Sequence, residues 1–137
     1  MSDGATPVRG HRGYIASRPI QGSRVPQNVQ NLVLRDYAAR KELRYLLSAT
    51  EYAMPHCYLM LEQVVDDLPQ LDGILMYSMF MLPEDPGRRR TIYERVLGCG
   101  ASLHAAVEEM ALESAQDIGR WEDIFQVKRV VDDWRPM

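Results

Sequence analysis

No apolar run in this 137-residue chain approaches the ~20 residues that a membrane-spanning helix needs, so no membrane association is expected. The first thirteen residues, MSDGATPVRGHRG, lack an apolar core and do not read as a signal peptide. Cysteine is scarce. Cys57 and Cys99 are the only two, they fit neither a zinc nor a CxxC spacing, and reduced thiols in a cytoplasmic protein are expected. A large excess of one charge is also missing. Sixteen cationic residues face nineteen acidic ones, and the formal net charge of -3 gives no basic field for nucleic acid, so no nucleic-acid partner is expected. The sequence has no GxGxxG, no Walker lysine loop and no metal-ligand cluster, which leaves neither a cofactor nor a metal to expect. No internal repeat or low-complexity segment appears.

What is present is an ordinary globular composition, 46% hydrophobic and 26% charged. The chain is long enough for one domain with a real core. Residues 1–11, polar and containing Gly and Pro, read as a flexible N-terminal tail, and residues 12–134 as a single α/β domain. Within that domain strand-like and helix-like patterns alternate. Gly13 to Ser17 is a short buried strand. Pro26 opens a helix that runs to about Lys41. Leu43 to Ala49 is a second strand. Cys57, Met60, Leu61, Val64, Val65 and Leu68 then recur at helical spacing, and Pro69 ends that helix. Asp72 to Ser78 is nearly continuous in apolar residues, as in a strand covered on both faces. Arg89 to Leu97 is helical and closed by Gly98 and Gly100. Ala101 to Val107 is a fourth strand, and Ser114 caps a last helix through about Val131. This βαβαβαβα order predicts a three-layer α/β sandwich with a four-stranded parallel sheet, strand order 2-1-3-4.

Reactive side chains crowd one junction, "YLLSATEYAMPHCY" from Tyr45 to Tyr58. A turn needs Gly, Asn, Asp or Pro; it needs no Glu, Tyr, His and Cys together. In open parallel sheets, ligands bind outside the carboxyl ends of the strands. All four predicted strands finish there in polar or ionisable residues: Ser17-Arg18, Ser48 followed by Thr50, Glu51 and Tyr52, Tyr77-Ser78, and Glu108-Glu109. Arg18 and Arg24, with Gln27, could clamp an anion beside a helix N-terminus, or could be ordinary surface residues. Glu51 could act as an acid or base, although a first-turn Glu is also favoured by the helix dipole alone. His56 and Cys57 look like a nucleophile and base. Neighbours on a helix diverge by about 100°, however, and Cys57 follows the apolar stripe, so a buried structural thiol is expected. Arg88-Arg89-Arg90 reads as a solvated helix face, with phosphate or nucleic-acid contact as the alternative.

Two families share parts of this pattern. Gly13-Tyr14, Ser17-Arg18-Pro19, Arg24-Val25-Pro26-Gln27, Gln30-Asn31, Arg35-Asp36-Tyr37 and Ser48-Ala49-Thr50-Glu51-Tyr52 resemble motifs of the sporadic carbohydrate cluster proteins. These are short bacterial proteins of carbohydrate-building gene neighbourhoods, and the likeness covers about Arg12 to Val131. The order of a "GYxRVS" strand, a Gln-containing helix and a later "DxLvv" strand also resembles the catalytic domain of serine recombinases, or resolvases. That likeness implies a resolvase-like, flavodoxin-like fold. Ala16 stands where those enzymes carry their first arginine, and Arg18 falls on the nucleophilic serine position, with Ser17 adjacent. Met79 to Pro83 lacks the Asp-Arg pair that stabilises the phosphoryl transition state, and no basic DNA-binding tail follows Trp134.

The first resemblance implies a carbohydrate-building context and no particular reaction. With the polar strand ends and the missing cofactor motifs, it leads to the expectation of a small enzyme acting on a sugar, sugar phosphate or sugar nucleotide by cofactor-free acid–base chemistry. Glu51, Ser17, Tyr52 and His56 would be its catalytic groups. Arg18, Arg24, Gln27, Ser48, Thr50, Tyr77 and Ser78 would hold a small anionic carbohydrate. The rival is a non-catalytic binding or scaffold protein with a degenerate resolvase-like fold; a degenerate DNA binder is a third reading. A homo-oligomer burying residues near Met76 to Met81, Trp121, Phe125 and Trp134 is expected.

Overall fold

The computed structural model describes residues 9–134, so most of the expected tail, residues 1–8, lies outside the described residues. Arg9 already pairs with Asp72, and the first strand, β1 (His11–Ala16), starts two residues earlier than the apolar pattern suggests. The remaining elements follow the expected alternation as far as the fourth strand, after which an unexpected strand precedes the last helix. They are α1 (Gln27–Arg40), β2 (Tyr45–Glu51), α2 (Leu59–Asp66), β3 (Gly73–Met76), α3 (Pro86–Gly98), β4 (Ser102–Ala105), β5 (Met110–Leu112) and α4 (Ala115–Asp133).

The sheet has five strands in the order β2-β1-β3-β4-β5, not four. Its first four strands are parallel, while β5 turns back and pairs antiparallel with β4. Three residues are too few to announce a strand by alternation, which is why Met110–Leu112 escapes a reading from periodicity. Strand β2 is displaced towards the carboxyl end relative to expectation, so Thr50 and Glu51 lie inside it, with Ser48, rather than beyond it. A register irregularity opposite His11–Gly13 leaves Leu47 81% exposed on this edge strand.

Strand alternation divides the core into two layers. Tyr14, Ala16, Ile74, Met76, Leu103 and Ala105 face α2, α3 and α4, whose Leu61, Val65, Tyr93, Val96 and Trp121 fill that side. Ile15, Leu75 and Ala106 face α1 through Leu34, Tyr37 and Ala38. The three-layer expectation therefore holds, with one helix on one face and three on the other. Met76, Met79, Met81 and Trp121 are all buried inside a single chain, so they are core and not the interface expected for them. Phe125 stacks edge-on against Phe80, and of that expected set Trp134 stays largely exposed.

Local chemistry sets the helix ends. Ser114 and Asp117 form a capping box at the start of α4, and Asp85 accepts from the Arg88 amide at the start of α3 behind Pro86. On the α1 face, Gly73 allows His11 to lie flat on the sheet. A Cβ there would sit 2.2 Å from the Ser102 carbonyl oxygen and 2.8 Å from the His11 ring. Only glycine permits that approach.

Candidate functional site

Three expected site residues converge at the carboxyl end of β1 and β2. Glu51, the last residue of β2, is 1% exposed. Its carboxylate accepts from the Tyr14 hydroxyl at 2.8 Å and from the amides of Met60 and Leu61 at 3.0 and 3.1 Å. It also accepts from its neighbour's amide at Tyr52, 3.3 Å, and lies 3.7 Å from the Cys57 thiol. Met60 and Leu61 are in the first turn of α2, whose N-terminal amides have no intrahelical partner. Glu51 therefore performs the task of a capping side chain, delivered from a neighbouring strand. Burial and the adjacent carboxylate push the Tyr14 hydroxyl well above the usual tyrosine range, and Arg18 draws it partly back.

Arg18 is half-buried and folds onto the same cluster. Its guanidinium donates to the Cys57 carbonyl at 2.7 Å and stands 4.9 Å from the centre of the Tyr58 ring. Arg88 covers the same ring at 5.0 Å while pairing with Glu62. The Ser17 hydroxyl donates weakly, at 3.4 Å, to the Glu51 backbone carbonyl. Behind Ser17, the buried Gln30 amide takes the place of a further strand. It accepts from the Ala16 amide at 3.1 Å and donates to the Ala16 and Val25 carbonyls at 2.7 and 2.9 Å. The loop between β1 and α1 is thereby tied to the helix that follows it.

The other expected residues lie apart from this cluster. Ser48 and Thr50 are half-buried within β2, while Arg24, Gln27, Tyr52 and His56 are exposed. His56 adopts a left-handed backbone, φ 59°, in the loop before α2, and Cys57 precedes that helix rather than joining its apolar stripe. The thiol is directed to Glu51, not to His56. Tyr77 is half-buried. Ser78 belongs to a separate cap: it donates to Glu108 at 2.7 Å, Glu108 also accepts from the Met79 amide at 2.9 Å, and Ser78 accepts from the Phe80 amide at 3.2 Å.

Reading the sequence missed Tyr14, Gln30 and Tyr58 as parts of this site. Tyr14 stands in a quoted motif, yet its partner lies 37 positions away, and Gln30 looks like any amide on a polar helix. Among the described residues no group of three or more His, Cys, Asp or Glu is arranged to hold a metal. Nor does any described helix have the length and apolarity to cross a membrane.

No protein-family model and no curated protein sequence matches the chain. Solved structures do. A resolvase family site-specific recombinase from Streptococcus pneumoniae superposes with a TM-score of 0.62 at 9% identity, covering 87% of this chain and 88% of that one. The N-terminal catalytic domain of TP901-1 integrase superposes with a TM-score of 0.58 at 15% identity, covering 90% of this chain and 99% of that one. The resemblance to sporadic carbohydrate cluster proteins has no counterpart in these comparisons. They also overturn the expectation of a sugar-modifying enzyme with a small anionic carbohydrate ligand and no nucleic-acid partner, because the likeness leads to recombinases. By architecture, the chain carries a resolvase-like α/β fold.

Proposed function

We propose that this chain is a non-catalytic binding module that uses the resolvase-like fold to engage nucleic acid without cutting it. The observation that carries this reading is the state of the strand-end cluster. Phosphoryl transfer by a serine needs a free hydroxyl and preorganised cations around the phosphate oxygens. Here the Glu51 carboxylate accepts from four donors of the fold. The Arg18 guanidinium is engaged by a backbone carbonyl and an aromatic ring, and Ala16 and Met79 to Pro83 supply no replacement charge. The nucleic-acid partner is inferred from the recombinases that share the fold.

A supercoiled plasmid and a short labelled duplex test both halves. The expected result is a retarded duplex at low salt with no nicked plasmid and no covalent protein–DNA adduct on a denaturing gel. An adduct that disappears in Ser17→Ala would overturn the non-catalytic half. Absence of any retardation at low salt would overturn the binding half.

A further inference from the structure

The net charge conceals an uneven distribution. Between Gly4 and Thr50 eight cationic residues face two acidic ones, whereas from Glu51 to Trp134 seven face sixteen. No Asp or Glu occurs from Gly4 to Arg35. In three dimensions β2 and β1 are neighbours at one edge of the sheet, and α1 starts beside them and crosses the same face as far as β4. A charge asymmetry of this kind between two parts of a chain points to a polyanionic partner.

The cations of this edge fall into two groups. Arg9, Arg12, Arg40 and Lys41 each face a carboxylate, and Arg18 is engaged by the Cys57 carbonyl and the Tyr58 ring. Arg24, Arg35 and Arg44 are exposed and have no ion pair among the described residues. Arg24 sits in the loop just before α1, Arg35 is on the helix's outer face with Asn28 and Leu32, and Arg44 immediately precedes β2. The α1 N-terminus carries no acidic residue in its first turn and no capping side chain, so its positive end is uncompensated.

We propose that this edge, with Arg24, Arg35 and Arg44 as its phosphate contacts, is a docking surface for the backbone of duplex DNA. The proposal rests on the binding reading given above and names the surface responsible. Charge complementarity selects the partner class. Exposed side chains of α1 are Arg, Asn, Gln, Leu, Val and Ala, with one acid, Asp36, that is paired with Arg40, and no aromatic, so the helix offers no stacking platform for unpaired bases. Guanidinium and amide donors suit phosphate oxygens, contacts that position a duplex without reading its sequence.

The test measures binding of the full chain to a short fluorescent duplex by anisotropy across a salt series. Wild-type affinity should fall steeply with salt, and each of Arg24→Ala, Arg35→Ala and Arg44→Ala should reduce the log–log slope by about one. The combined Arg24→Glu, Arg35→Glu, Arg44→Glu variant should bind at least about tenfold more weakly at low salt, with an unchanged thermal melt. Reversal of Arg90 and Arg120, on the helices of the other face, should leave binding as it was. If the wild type binds and the triple variant binds equally well, the docking surface is refuted while the binding reading stands. If the wild type binds no duplex, both fall. Equal displacement of the duplex by polyglutamate would assign the edge to an acidic protein instead and overturn the proposal.

Discussion

Arginines at the two sides of this molecule keep different company. On the α3–α4 side, Arg89 has a side chain only 6% exposed. It donates twice to Glu122, at 2.8 Å each, and to the carbonyls of Pro83 and Glu84, with its guanidinium 3.9 Å from the Phe125 ring centre. On the β2–β1–α1 side, Arg24, Arg35 and Arg44 stand in solvent. The residue type is the same and the physical role opposite. A buried guanidinium persists only where carboxylate and carbonyl acceptors replace its water, and so it is part of the fold. An exposed and unpaired one adds little to the fold and remains available for a partner.

The largest break in this comparison should come from Arg89→Ala. It strands the Glu122 carboxylate, which also accepts from the Tyr93 hydroxyl at 2.6 Å, and opens space beside Phe125. Urea unfolding should report a loss of about 3–5 kcal/mol, the usual cost of removing one partner from a buried ion pair. A loss below about 1 kcal/mol would mean that Arg89 belongs with the surface arginines after all.

Acid should act nearly as strongly, through a second buried polar group on the α1 face. Ser102 Oγ lies 2.8 Å from His104 Nε2 and 3.2 Å from His11 Nε2, and the Tyr37 hydroxyl lies 2.9 Å from His104 Nδ1. Burial pushes His104 down to about 4, with His11 and Lys41 adding to the effect, and burial also lowers His11 against the pull of Asp72. Each histidine is therefore favoured neutral in the folded chain. Above the unfolded value of 6.5 this contribution is fully present; as pH falls from there towards 4, the unfolded chain binds the proton first and stability drops. His104 alone accounts for on the order of 3 kcal/mol across that window. His104→Gln should flatten the pH dependence of the melting temperature between those limits, and an unaltered profile would reject the assignment.

Glu51→Ala comes next. The substitution leaves the Tyr14 hydroxyl and the first amides of α2 without their acceptor in a buried place, for about 1–3 kcal/mol by chemical denaturation. Glu51→Gln keeps an acceptor and should cost less. DNA binding should survive both, because the carboxylate faces inward. A Glu51→Gln variant that folds normally but loses the duplex would move the binding surface to the strand ends.

The architecture was legible because long amphipathic segments announce themselves. The α2 stripe, the apolar β3 run and the Ser114 cap all stand in the sequence at local spacing. The missed parts depend on distant partners. Glu51 reads as a reactive carboxylate until Tyr14, 37 positions earlier, is brought to it by parallel pairing of β1 and β2. Arg89 reads as the centre of a solvated triplet until Glu122 arrives on α4. The cationic segment was hidden differently: a summed charge of -3 averages it with an acidic one, although counting along the chain separates them, and the fold adds which of its arginines lack a carboxylate partner.

The smallest effect separates the two kinds of arginine most finely, because its sign and its salt dependence are both fixed in advance. Arg35 has no carboxylate partner, and Arg24 and Arg44 belong to the same cationic edge. Removing its charge relieves repulsion within that edge and gives up no ion pair. Alanine also has a helix propensity at least as favourable as that of arginine. Arg35→Ala should therefore be neutral or stabilising by a few tenths of a kcal/mol at low ionic strength, staying inside the roughly ±0.5 kcal/mol typical of surface changes. The electrostatic part should fade in molar salt, where screening acts over about 3 Å. Arg89→Ala should keep most of its cost in molar salt, since the Arg89 side chain is only 6% exposed while Glu122 is 26% exposed. Parallel melts of the two variants at low and high salt measure this directly. A destabilisation above about 1 kcal/mol in Arg35→Ala would show that the basic edge helps to hold the fold together, and the division between structural and available arginines would not survive it.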